Sequence, residues 1–82
     1  MKSWTVYMVR CKDGTLYTGI TVDLPARLQA HNEGKGAKYT RGRGPVNLVW
    51  SEECLSESEA RKREREVKRF SRETKEGMVM GV

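Results

Sequence analysis

Two runs that alternate residue by residue, "SWTVYMVR" and "TLYTGIT", flank Lys12-Asp13-Gly14 near the start of the chain. Period-two alternation puts successive side chains on opposite faces of a strand, so the runs predict two strands joined by a turn. Trp4, Val6 and Met8 share one parity in the first run, and Leu16 and Ile20 the same parity in the second. Antiparallel partners have a constant index sum, and even positions can face even positions only if that sum is even, which demands an odd-length loop. Lys12 to Gly14, with the glycine in the left-handed conformation, meets that demand. Even residues then form the core face, while Tyr7, Tyr17 and Gly19 all project from the opposite one. At 82 residues there is room for one domain, expected over residues 1–82 with its core at roughly 4–76.

Further elements follow from local chemistry. Asp23 as N-cap and Pro25 in the first turn open a helix, "LPARLQAHNEG", that ends at Asn32 to Gly34. At 3.6 residues per turn, Leu24, Arg27, Leu28 and His31 fall within an arc of about 100°. Residues 33–45, "EGKGAKYTRGRGP", read as a mobile basic loop and not a strand. Val46 to Trp50 is expected to be a third strand. Ser56 and Glu59 form a capping box opening a long charged helix to Phe70, and "SRETKEGMVM" a short final helix or turn. The fold class expected is α+β, an α/β sandwich with a three-stranded antiparallel sheet flanked by helices in the order β-β-α-β-α(-α).

One position in the long helix stands out. Ala60, Glu64, Val67 and Ser71 span about 60° of arc, so a carboxylate lies in the middle of the packing face. Burying a carboxylate is costly unless it is paired or holds a metal. Glu64 is therefore either a metal ligand or the partner of a cation such as Arg27.

Composition narrows the partners. A formal net charge of +5 favours a polyanion, with nucleic acid ahead of an anionic membrane surface. No apolar run approaches the roughly 20 residues needed to cross a bilayer, and a cytoplasmic location is expected. Cys11 and Cys54 are far apart and lack metal-ligand spacing, and a single histidine excludes a multi-histidine metal site. The basic loop lacks the G-x-x-x-x-G-K-[ST] pattern and does not open a helix, so no nucleotide cofactor is expected. Lys35, Lys38, Arg41 and Arg43 are instead candidate contacts to a DNA backbone.

Tyr7 in "VYM", Tyr17-Thr18-Gly19 ten residues on, Arg27 and His31 one helical turn apart, and Glu64 on a later helix together resemble the GIY-YIG nuclease family. The likeness is strongest to its small stand-alone bacterial members and to the nuclease subunit of structure-selective endonucleases. It implies divalent-metal-dependent hydrolysis of DNA phosphodiester bonds, with a place in DNA repair or recombination. By the same resemblance Tyr7 and Tyr17 are the paired active-site phenols and Arg27 the phosphate-contacting arginine. His31 is their hydrogen-bonding partner, and Glu64 the ligand of one Mg²⁺ or Mn²⁺ ion.

The chemistry accords with those residue types. Phosphodiester hydrolysis needs a deprotonated water, neutralisation of charge on the phosphoryl oxygens, and help for the leaving alkoxide. A free phenol has a pKa near 10, so a tyrosine serves as base at neutral pH only if cations and hydrogen bonds stabilise its phenolate. Arg27, His31 and a metal-bound water are the candidates. In this reading Tyr7 activates water with help from His31, Tyr17 orients water or phosphate, and Gly19 lets substrate approach the sheet. The substrate expected is structured or branched DNA, with a protein partner also expected. The competing reading is a catalytically weak or inactive nucleic-acid-binding or repair-complex interaction module on the same fold.

Overall fold

The computed structural model describes residues 3–80, without the side chains of Tyr39 and Met80. Strand β1 (Trp4–Arg10) is followed by β2 (Leu16–Thr21), helix α1 (Leu24–Asn32), a 3₁₀ turn at Lys38–Thr40, β3 (Asn47–Cys54), α2 (Glu57–Arg69) and α3 (Arg72–Met80). The sheet is antiparallel in the order β2-β1-β3, so the first strand is the central one.

The β1–β2 hairpin has the even-sum register: Tyr7 faces Gly19, Met8 faces Thr18 and Val9 faces Tyr17. The turn closes with the Cys11 N–H donating to the Thr15 carbonyl at 2.8 Å, and Gly14 takes φ +87°. Asp13 fastens it by accepting from both the N–H and the hydroxyl of Thr15.

Both faces of β1 are covered, whereas the alternation had suggested one core face. Val6, Tyr7, Met8 and Val9 are all fully buried. On the odd face Tyr7, Val9, Cys11 and Val46 form a buried cluster, with Tyr17 and the α1 residues Leu24 and Leu28 packed against it. On the even face lies α2: its Arg63 sits over the Trp50 ring at 5.8 Å and pairs with Glu52 at 3.1 Å, and those two strand positions are in register with Met8 and Val6. Arg63 is thus a packing residue of the sheet.

Strand β3 is longer than the apolar run Val46 to Trp50 implied, because its polar half, Ser51 to Cys54, continues to pair with β1 as far as Trp4. The register slips between Met8, opposite Trp50, and Val9, opposite Leu48, leaving Val49 as the extra residue of a bulge. Helix α2 is capped by Ser56, which accepts from the Glu59 N–H, while the Glu59 carboxylate reaches one residue further back to the Leu55 N–H. Ala60 and Val67 are buried as expected. Ser71 lies beyond α2, where its hydroxyl oxygen accepts from the Thr74 N–H at the start of α3. Arg10 docks α3 through a two-pronged pair with the Glu76 carboxylate. No helix of the described residues is long and apolar enough to cross a membrane.

The loop expected to be mobile is tied down. Lys12 N–H donates to the Arg43 carbonyl at 2.7 Å, the Arg43 guanidinium pairs with Asp13 at 3.1 Å, and the Asn32 side chain accepts from the Val46 N–H at 2.7 Å.

Candidate active site

Three rings from three elements meet on the odd face. Tyr7 comes from the centre of the sheet, Tyr17 from the neighbouring strand, and His31 from the last turn of α1. The two tyrosine rings lie 6.5 Å apart, and His31 meets each of them edge-on at 5.8 and 5.5 Å. This placement depends on the hairpin register, which puts Gly19 directly beside Tyr7. A Cβ at Gly19 would stand 2.6 Å from the Tyr7 hydroxyl. The room expected for substrate is therefore used by the phenol itself.

Helix α1 delivers the polar groups. Asp23 accepts from the Ala26 N–H, Pro25 occupies the first turn, and the helix ends with Gly34 at φ +76° and Lys35 N–H donating to the Ala30 carbonyl at 2.8 Å. With both ends set, Arg27 and His31 face the same hydroxyl: Arg27 Nε donates to Tyr7 Oη at 3.4 Å, and a 2.8 Å hydrogen bond joins Tyr7 Oη to His31 Nε2. Arg27 also interacts with Tyr17, so it bridges the two phenols. His31 is 1% exposed, and its Nδ1 is hydrogen-bonded to the Thr40 hydroxyl at 2.8 Å. Thr40 is equally buried. Its participation was not foreseen; the only hint in the sequence was a hydroxyl inside a glycine-rich segment shortly after the helix.

The electrostatics differ from the simple expectation for a basic phenol. Burial raises the Tyr7 pKa, the Arg27 hydrogen bond opposes that rise, and Tyr17 and Glu64 reinforce it. Desolvation outweighs the cation, so Tyr7 rests as a neutral phenol. Burial likewise lowers the His31 pKa, helped by the positive charge of Arg27, so the imidazole rests neutral.

Glu64 is half-buried, its side chain 18% exposed, and its carboxylate pairs with Lys68 at 3.3 Å one turn along α2. Among the described residues Arg27 does not pair with Glu64; it is engaged with the tyrosines. Glu64 is near enough for its charge to be felt at Tyr7. Among the described residues, no group of three or more His, Cys, Asp or Glu side chains is gathered. Of the basic loop residues, Lys35, Lys38 and Arg41 are exposed, while Arg43 is turned to Asp13.

Comparison with known proteins decides the lineage. The model of the GIY-YIG catalytic domain matches residues 3–77. The chain belongs to the GIY-YIG family. Its catalytic domain is of nuclease type. A UPF0213 protein of Staphylococcus haemolyticus is 55% identical over 74 residues, covering 90% of each chain. One from Staphylococcus aureus is 52% identical over 75 residues, covering 92% of each. Two solution NMR structures share the fold. The UPF0213 protein of Bacillus halodurans is 50% identical with a TM-score of 0.61, covering 95% of this chain and 83% of that one. A protein from E. faecalis is 37% identical with a TM-score of 0.62, covering 93% and 82%. In this GIY-YIG chain the triplets that correspond to the name read Thr5-Val6-Tyr7 and Tyr17-Thr18-Gly19.

Proposed function

We propose that this protein is a divalent-metal-dependent endonuclease that hydrolyses phosphodiester bonds in structured or branched DNA. The observation that carries the reading is the Tyr7 hydroxyl, held between Arg27 Nε at 3.4 Å and His31 Nε2 at 2.8 Å. A neutral phenol is a poor base, but a phenol beside a neutral imidazole has a group to receive its proton. Tyr7 transfers its proton to His31, the phenolate formed beside Arg27 takes a proton from water, and the water attacks phosphorus. Tyr17 orients the water or the phosphate, and Arg27 neutralises charge on the phosphoryl oxygens.

Glu64 is the residue that would hold one metal ion. A single, partly exposed carboxylate suits Mg²⁺, which keeps several waters and binds through one or two carboxylates plus substrate phosphate oxygens. When bound, such an ion supplies Lewis-acid neutralisation of the phosphate and support for the leaving oxygen. Lys68 is then the side chain that Glu64 must release.

Lys35, Lys38 and Arg41 would contact the backbone of the duplex without reading bases. Work in the cytoplasm, in DNA repair or recombination and with a protein partner, fits this substrate. Replacing Glu64 by Gln tests the reading. The variant is expected to fold and bind DNA as the parent does while losing cleavage by about a hundredfold or more. Equal cleavage by parent and variant would remove Glu64 from the mechanism.

A further inference from the structure

The direction of the hydrogen bonds around His31 is set from their far end. A threonine hydroxyl has one proton to give. Thr40 Oγ1 lies 2.9 Å from the Ala37 carbonyl oxygen, which can only accept, so the proton goes there. Towards His31 the same oxygen offers a lone pair, and the 2.8 Å bond is made only if Nδ1 carries the hydrogen. In a neutral imidazole this leaves Nε2 bare, facing the Tyr7 hydroxyl at 2.8 Å. The loop backbone is built close around this edge of the ring, for a Cβ at Gly36 would collide with Nδ1.

We infer that Thr40 is a positioning residue of the site: its hydroxyl holds His31 as the Nδ1–H tautomer, so that Nε2 can receive the Tyr7 proton. The catalytic half of this rests on the nuclease reading above; the tautomer does not. When the proton moves, the Tyr7 O–H bond breaks and an N–H bond forms at Nε2, while the electron pair stays on the phenol oxygen. Thr40 accepts from Nδ1–H before and after the transfer, so it need not rearrange when the ring becomes charged. In the opposite tautomer Nδ1 and Thr40 would meet lone pair to lone pair, and Nε2–H would block the phenol's proton. The 3₁₀ turn at Lys38–Thr40 thereby becomes part of the site, reaching it through His31 and not through substrate.

His31 is the single histidine of the chain, so its ring nitrogens are directly readable by long-range ¹H–¹⁵N NMR. At a pH where the imidazole is neutral, the parent is expected to show a protonated-type shift at Nδ1 and a bare-type shift at Nε2. Thr40→Val, which keeps the shape and removes the acceptor, should shift population to the Nε2–H form, and Thr40→Ser should restore the parent pattern. In cleavage assays Thr40→Val should lower kcat about tenfold or more with little change in KM, and Thr40→Ser should recover it. A parent carrying its hydrogen on Nε2 would overturn the inference without any variant. So would a Thr40→Val protein with unchanged tautomer and unchanged kcat. The expected tautomers in a parent that cuts no DNA would support the role of Thr40 in setting the ring and count against the nuclease reading alone.

Discussion

His31 connects three parts of the molecule, and its protonation state makes a prediction of its own. Its pKa is lowered by burial and by Arg27. A histidine depressed below the unfolded value of about 6.5 binds fewer protons folded than unfolded. The stability it supports is therefore fully present above pH 6.5 and lost as the pH falls through the depressed value. Cleavage, which needs a bare Nε2, should fall on the same descent, so the acid limb of the rate profile should lie below about pH 6.5. A limb above that value would show that His31 does not receive the proton. At this scale the alternation of the sequence was a good guide to which residues share a face, and Tyr7, Tyr17 and Gly19 do so. It said nothing of the fit between them. That Gly19 makes room for a phenol, and that Thr40 completes the hydrogen bonding of His31, are contacts between distant residues that follow no period.

Elements explain why those side chains hold still. Strand β1 is buried on both faces, and Ala60 and Val67 of α2 are fully buried as well. Val67→Ala should cost about 1–3 kcal/mol in urea unfolding, since the side chain is fully buried and its truncation leaves a cavity beneath α2. A loss below a few tenths would mean that α2 is not held by this contact. The helices were legible because caps are local: Asp23 and Ser56 act as N-caps where the sequence placed them. Strand β3 was legible only in its apolar half, because "SEEC" takes its extended form from pairing with β1 rather than from its own side chains. The basic loop was rightly read as not a strand, yet its glycines gave no sign of how it is fastened. It is held from outside itself, by Lys12, Asp13 and Asn32.

For the molecule as a whole, a net charge of +5 and the exposed Lys35, Lys38 and Arg41 lead to a binding prediction. Affinity for duplex DNA should fall steeply with salt, and replacing all three cations with alanine should flatten the log–log slope by roughly three units if each meets one phosphate. Titrations by fluorescence anisotropy at several salt concentrations would read this; an unchanged slope would move the DNA-binding surface elsewhere. Of the whole, the antiparallel sheet, the element order and the family were legible in the sequence, because each rests on patterns within short stretches. The burial of the site depends on how the helices pack on either side of the sheet. In the proposed function Tyr7 and a divalent ion together make this fold a nuclease. That claim is tested most directly by incubating the parent and Tyr7→Phe with single-stranded, flapped, branched and plain duplex DNA, each with Mg²⁺, with Mn²⁺ and with chelator. The expected result is cleavage of at least one branched or flapped DNA by the parent with metal alone, lowered about a hundredfold or more in a folded Tyr7→Phe. Cleavage that survives chelation or the loss of the Tyr7 hydroxyl would contradict the account, as would a parent that binds these DNAs and cuts none.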